Sequence, residues 1–128
     1  MNKHGNMVFS WQKDLLTIEI RGAFNKEGME FWFSEIKKYF KNNGIKVWRR
    51  LEIWDEEAMG IPESIEVGKL IYDWLDDNGC TLTAVVVKNT IQEKIIKDSF
   101  KSNVKTFRDE EKAREWLDDT HKKASKRS

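Results

Sequence analysis

Apolar and polar residues alternate from Met7 to Gln12 and again from Leu16 to Arg21, the period of half-buried strands. Lys13-Asp14 between them is short enough for an antiparallel hairpin, although it lacks the Asn-Gly or Asp-Gly chemistry such turns prefer. The period then changes. Met29, Trp32, Phe33, Ile36, Tyr39 and Phe40 recur at three- and four-residue steps, one face of a helix. Asn25 opens that helix as an N-cap, Glu27 suits the positive end of its dipole, and Asn43-Gly44 closes it. Trp48 to Trp54 alternates as a third strand, and the loop from Asp55 leads to Pro62, a first-turn residue of a second helix. Val67, Leu70, Ile71, Trp74 and Leu75 form that helix's apolar face, and Asn78-Gly79 ends it. Thr81 to Val87 is β-branched or apolar at nearly every step, as a central parallel strand covered on both faces requires. A third helix over Thr90 to Lys101 turns Ile91, Ile95, Ile96 and Phe100 inward, and Val104 to Phe107 is a short strand. Asp109 caps the last helix, whose buried stripe is Ala113, Trp116 and Leu117.

The order β-β-α-β-α-β-α-β-α predicts an α/β fold with a mostly parallel five-stranded sheet and right-handed crossovers. Ile18, Ile20, Leu51 and Ile53 are expected on one sheet face, with Thr17, Glu19, Arg21, Arg50, Glu52 and Trp54 on the other, partly polar one. Such a face or edge could support a homodimer. The 128 residues suit one domain, with an ordered core over about 7–119 and a mobile basic tail over 120–128.

Charge and composition narrow the function by exclusion. Lys plus Arg is 23 against 22 for Asp plus Glu, a net charge of +1, which lacks the basic excess of a nucleic-acid footprint. No apolar run reaches the roughly 20 residues of a membrane span, and no signal peptide is visible, so a cytoplasmic protein is expected. No catalytic residues are expected. His4 and His121 both fall near the ends, and no Gly-rich phosphate loop is present. One cysteine, Cys80, offers no disulfide, and no His, Cys and carboxylate set has ligand spacing, so neither metal nor cofactor is expected.

Two sets of residues stand out. Asp55-Glu56-Glu57 lies at the carboxyl end of a parallel strand, where open α/β sheets place their sites. The following loop delivers Ser64 to the first turn of the second helix, flanked by Glu63 and Glu66. A phosphate on Ser64 would gain from the helix dipole and be opposed by Glu56, Glu57, Glu63 and Glu66, a balance suited to a switch; the simpler reading is an ordinary first-turn serine. Among 15 aromatics, Phe31 and Tyr72 fall beside their helices' apolar stripes, and Trp54 shares its strand face with Glu52 and Arg50. Side chains so placed suit a partner surface or the walls of an apolar pocket, which would need a closed cavity of about a few hundred Å³.

The chain resembles the STAS fold, the sulfate-transporter and anti-sigma-factor-antagonist group, and within it the bacterial SpoIIAA-like family. The element order over about residues 7–119 carries that resemblance, together with the run from Val104 through Phe107, Asp109, Glu110 and Glu111 to Ala113, Trp116 and Leu117, which is similar to the family's closing strand and helix. The resemblance implies a non-enzymatic module that regulates a protein partner through the loop and helix 55–72, with Asp55, Glu63, Ser64 and Glu66 as its interaction residues. Ser64 falls near the phosphorylatable serine of the antagonists, where they carry an Asp-Ser-Ser-Gly-type sequence and this chain carries Glu63-Ser64-Ile65-Glu66. The family is also similar in fold to CRAL-TRIO lipid-transfer domains. That implies an alternative, binding of a lipid-like or apolar small molecule, with Phe31, Tyr72 and Trp54 as its walls.

Overall fold

The structure is a computed structural model that describes residues 5–41, 44, 46–58, 62–100 and 103–127, the side chains of Pro62 and of 121–127 excepted. His4, Asn43, Lys101, the loop positions 59–61 and the His121 side chain therefore lie outside the described residues. The elements are β1 (Asn6–Gln12), β2 (Leu15–Arg21), α1 (Lys26–Lys41), β3 (Trp48–Trp54), α2 (Pro62–Asp77), β4 (Cys80–Val86), α3 (Thr90–Ser99), β5 (Val104–Phe107) and α4 (Glu110–Arg127). The helix α4 runs on past residue 119, through most of the segment expected as a tail.

The five strands lie in the order β1-β2-β3-β4-β5, with β1 antiparallel to β2 and every other pair parallel. From β2 onward each crossover moves one strand in the same direction. Right-handed crossovers that all march one way put their helices on one face of the sheet. Accordingly Ile36 of α1, Val67, Ile71 and Leu75 of α2 and Ile96 of α3 share a core with Leu16, Ile18 and Ile20 of β2. α4 follows the last strand onto the opposite face, where Ala113 and Leu117 pack on Leu15, Leu51, Ala84 and Val86.

The caps act as their chemistry predicts. Asn25 Oδ1 accepts from the Gly28 amide at 2.8 Å, and Asp109 Oδ1 from the Lys112 amide at 3.1 Å. The hairpin manages without a favoured turn pair by placing Lys13 in the left-handed region at φ 57°. Its neighbour Asp14 is tied to β3: the Asp14 carbonyl accepts from the Arg49 amide at 2.8 Å, and its carboxylate from Arg49 Nη2 at 2.9 Å. Arg49 also reaches Asp118 of α4 at 3.2 Å, so one side chain joins turn, sheet and helix.

The expected face assignment of β3 is corrected by register. Leu16, Ile18 and Ile20 pair with Arg50, Glu52 and Trp54, so these side chains share the face under α1, α2 and α3. Leu51 and Ile53 belong to the α4 side. Both faces of β3 are covered, so the alternation of Leu51 and Ile53 marks one of two interiors rather than the boundary between core and water. Arg50 and Glu52 are 0% and 2% exposed, which makes this face buried rather than partly polar and open.

Helix phase brings a second correction. The inner face of α2 is Ser64, Val67, Gly68, Ile71, Tyr72 and Leu75, a continuous three- and four-residue stripe, and this leaves Leu70 exposed. On α3 the buried residues are Gln92 and Ile96, and Ile91 faces outward.

Candidate functional site

The site grows from β3. Alternation places Arg50, Glu52 and Trp54 on one side of the strand, beneath α2. Glu52 Oε1 accepts the Tyr72 phenol at 2.6 Å and the Trp54 indole N–H at 2.9 Å. Glu52 Oε2 lies 2.9 Å from Arg50 Nε. The Arg50 guanidinium carbon stands 4.3 Å from the centre of the Tyr72 ring, a cation–π contact, and Phe100 stacks on Tyr72 at 4.1 Å. Behind the arginine, Cys80 Sγ and Thr83 Oγ1 are 3.4 Å apart.

Electrostatics hold Arg50 and Tyr72 each in one protonation state. Burial opposes the charge of Arg50, but Cys80, Glu52, Tyr72 and Asp76 outweigh it, so the guanidinium is held protonated above its ordinary pKa. Burial, and next the Glu52 carboxylate, push the Tyr72 phenol well above its ordinary value, so it remains a donor. Guanidinium, carboxylate and phenol form a fixed polar unit inside an apolar layer.

Beside that unit lies a cavity of about 80 Å³ between the sheet and helices α1, α2 and α3. Ile18 and Ile20, Met29 and Ile36, and Gly68 and Ile71 supply apolar wall from β2, α1 and α2. Phe100 closes it beyond α3, and its polar borders are Glu52, Tyr72 and Ser64. Tyr72 and Trp54 are among the residues that line this apolar space, whereas Phe31 packs edge-on against Trp32 and is not among them. The expectation that Tyr72 lies outside its helix's buried stripe is corrected: the residue is 9% exposed.

The four interaction candidates separate. Asp55 is a hub: its carboxylate accepts the Gly22 and Glu57 amides, each at 2.9 Å, and its carbonyl accepts Gln92 Nε2 at 2.8 Å. Two loops at the carboxyl end of the sheet and the first turn of α3 are pinned there. Ser64 does stand in the first turn of α2, but its side chain turns inward, and Oγ donates to the Phe24 carbonyl at 2.8 Å in a buried site. Glu63 and Glu66 face outward, the latter paired with Lys69 at 3.3 Å.

Sequence reasoning missed Arg50 and Glu52 as buried groups, and Gln92 altogether. One signal was present for the pair: Trp48 and Trp54 bracket them on the same side of β3, and two large aromatics mark a covered face. Among the described residues no group of three His, Cys, Asp or Glu stands together as a metal site, and no helix is long and apolar enough to cross a membrane.

A sheet of one antiparallel and three parallel strand pairs, with three helices on one face and a closing helix on the other, defines the class as a SpoIIAA-like α/β domain. The SpoIIAA-like family model matches residues 15–118, and the chain belongs to that family. Among solved structures, a DUF3478-family protein with a SpoIIAA-like fold from Shewanella loihica PV-4 superimposes with a TM-score of 0.63 at 16% identity. The match covers 91% of this chain and 97% of that one, and at this identity it speaks for the fold alone. No curated protein matches the chain.

Proposed function

We propose that the chain is a non-enzymatic binding module whose cavity beneath α2 accepts a small, largely apolar molecule. The observation that carries this reading is the apolar space walled by β2, α1 and α2, with one carboxylate–phenol pair at its border. Largely apolar enclosures with few, placed polar groups are the usual form of small-molecule sites. Binding rather than chemistry fits because the hydroxyls on its border are already engaged: Tyr72 donates to Glu52, and Ser64 donates to the Phe24 carbonyl. The size changes the expected ligand. A volume of about 80 Å³ falls short of the few hundred Å³ a lipid-like occupant needs, and corresponds to on the order of half a dozen water-sized bodies. The occupant is therefore a molecule of about six heavy atoms or fewer.

Gly68 gives the direct test. A Cβ added there meets Met29 Cε at 3.6 Å and Phe100 Cζ at 3.8 Å, ordinary contact distances, so Gly68→Ala fills part of the cavity without strain. Replacing an interior helical glycine by alanine should stabilise the fold by about 0.5–1 kcal/mol. The same methyl should weaken a four-carbon apolar probe about tenfold, as overfilling a packed site does. Urea denaturation reads the first effect and an NMR titration the second. Unchanged probe affinity in the stabilised variant would place the ligand elsewhere.

A second reading rests on the other side of the same helix. α2 presents Glu63, Glu66 and Leu70 outward, the last 58% exposed, which suits a protein partner engaging segment 55–72 in the manner of an anti-sigma-factor antagonist. Reversing two surface charges, Glu63→Lys with Glu66→Lys, should move stability by no more than about 0.5 kcal/mol. It should also abolish recovery of the partner that co-purifies from the native organism. An unchanged co-purifying set would argue against this face as the interaction surface.

A further inference from the structure

Resting on the cavity reading above, we infer that the site selects a neutral molecule carrying a hydrogen-bond donor, such as an alcohol or phenol, and rejects carboxylates and other anions. The borders of the cavity decide this. Its charged neighbour is a carboxylate, Glu52, and among the described residues no lysine or arginine lines the space. Arg50 is fully buried against the Tyr72 ring, its guanidinium nitrogens make no hydrogen bond among the described residues, and it is not part of the cavity wall. An anionic headgroup would enter a low-dielectric space facing a like charge, with no cation among the described wall residues to receive it.

Hydrogen-bonding capacity points the same way. The Tyr72 and Ser64 hydroxyls already donate, to Glu52 and to the Phe24 carbonyl, so neither has a proton to offer a ligand acceptor. Acceptor capacity does remain. Each carboxylate oxygen takes about two donors; Oε1 of Glu52 holds Tyr72 and Trp54, whereas Oε2 faces Arg50 alone among the described residues. A ligand hydroxyl can therefore donate to Glu52 directly, or exchange places with the Tyr72 phenol. The apolar remainder of the molecule then lies among Ile18, Ile20, Met29 and Ile71.

The test uses the full-length chain and three probes of one length: 1-butanol, 1-chlorobutane and butanoate at neutral pH, titrated by amide and indole NMR. Butanol should bind at least tenfold more tightly than butanoate, and several-fold more tightly than 1-chlorobutane. Tyr72→Phe removes one donor from Glu52 Oε1 and keeps the ring over Arg50, so it should not weaken butanol and should leave 1-chlorobutane unchanged. Butanoate binding as well as butanol would overturn the inference while leaving the cavity reading in place. So would 1-chlorobutane binding as well as butanol. Failure of all three probes to bind would overturn the cavity reading and this inference together.

Discussion

Glu52→Ala is expected to cost the protein about 3–5 kcal/mol, the loss typical when one partner of a buried ion pair is removed. For a chain of this length that corresponds to a fall in Tm of roughly 10–20 °C. The variant leaves Arg50 charged at 0% exposure, and in the same stroke takes the acceptor from the Tyr72 phenol and the Trp54 indole. Arg50 cannot escape by losing its proton, because a guanidinium's ordinary pKa lies far above neutral. Charge and hydrogen bonding can be separated. Arg50→Met combined with Glu52→Gln removes both charges but keeps an amide oxygen for Tyr72 and Trp54. Most of the loss should therefore return in the double variant, because a buried pair exchanged for neutral groups of similar volume is often tolerated. Urea denaturation of wild type, both single variants and the double gives the coupling energy. A Glu52→Ala loss below about 1 kcal/mol would mean that water reaches the pair, and the closed polar unit described above would be wrong.

The same unit shows where sequence reasoning reaches its limit. The element order was legible because each period was clean: alternation for β1 to β3, three- and four-residue steps for α1, and β-branched saturation in β4. Caps were legible because Asn25 and Asp109 act on amides three residues away, a local matter. Which way β3 faces was not local. Leu51 and Ile53 looked like the single buried side of a half-exposed strand, yet α4 covers that side and α2 covers the other. A strand with two interiors carries no periodicity that says which charges are buried. Ser64 and Tyr72 illustrate the same limit on a helix. Moving the inward stripe of α2 by a fraction of a turn, from Leu70 to Ser64, Gly68 and Tyr72, converts an assumed surface serine into an anchor. It also converts an assumed surface tyrosine into a cavity wall. Asp55 was found for its position at a strand's carboxyl end, while its partner Gln92 lay 37 residues away with nothing local to mark it.

Gly79→Ala is the second large effect expected, and it tests the junction that sets β3 against β4. Gly79 sits at φ +105°, outside the range that side chains ordinarily tolerate, at a cost of about 1–3 kcal/mol for a residue with a Cβ. The new Cβ would also stand 2.0 Å from the Lys46 carbonyl oxygen, a backbone atom that cannot swing aside as a side chain can. Moving it displaces the start of β3. There the Trp48 amide donates to the Gly79 carbonyl at 3.0 Å, and the Trp48 indole to the Asn78 carbonyl, also at 3.0 Å. Trp48 is fully buried against Phe40 and Trp11, so a shift at residue 46 is transmitted into the aromatic core. Strain, clash and disturbed packing together should remove about 4 kcal/mol or more, among the larger single-residue effects. Gly44→Ala is the matched control, with nothing among the described residues within 4 Å of the added carbon, and should change stability by no more than about 0.5 kcal/mol. Near-UV circular dichroism should show the loss of fixed Trp48 packing in the first variant and not in the second. Equal stability of the two variants would mean that the turn before β4 relaxes freely, in which case Trp48 rather than Gly79 fixes how the two strands meet.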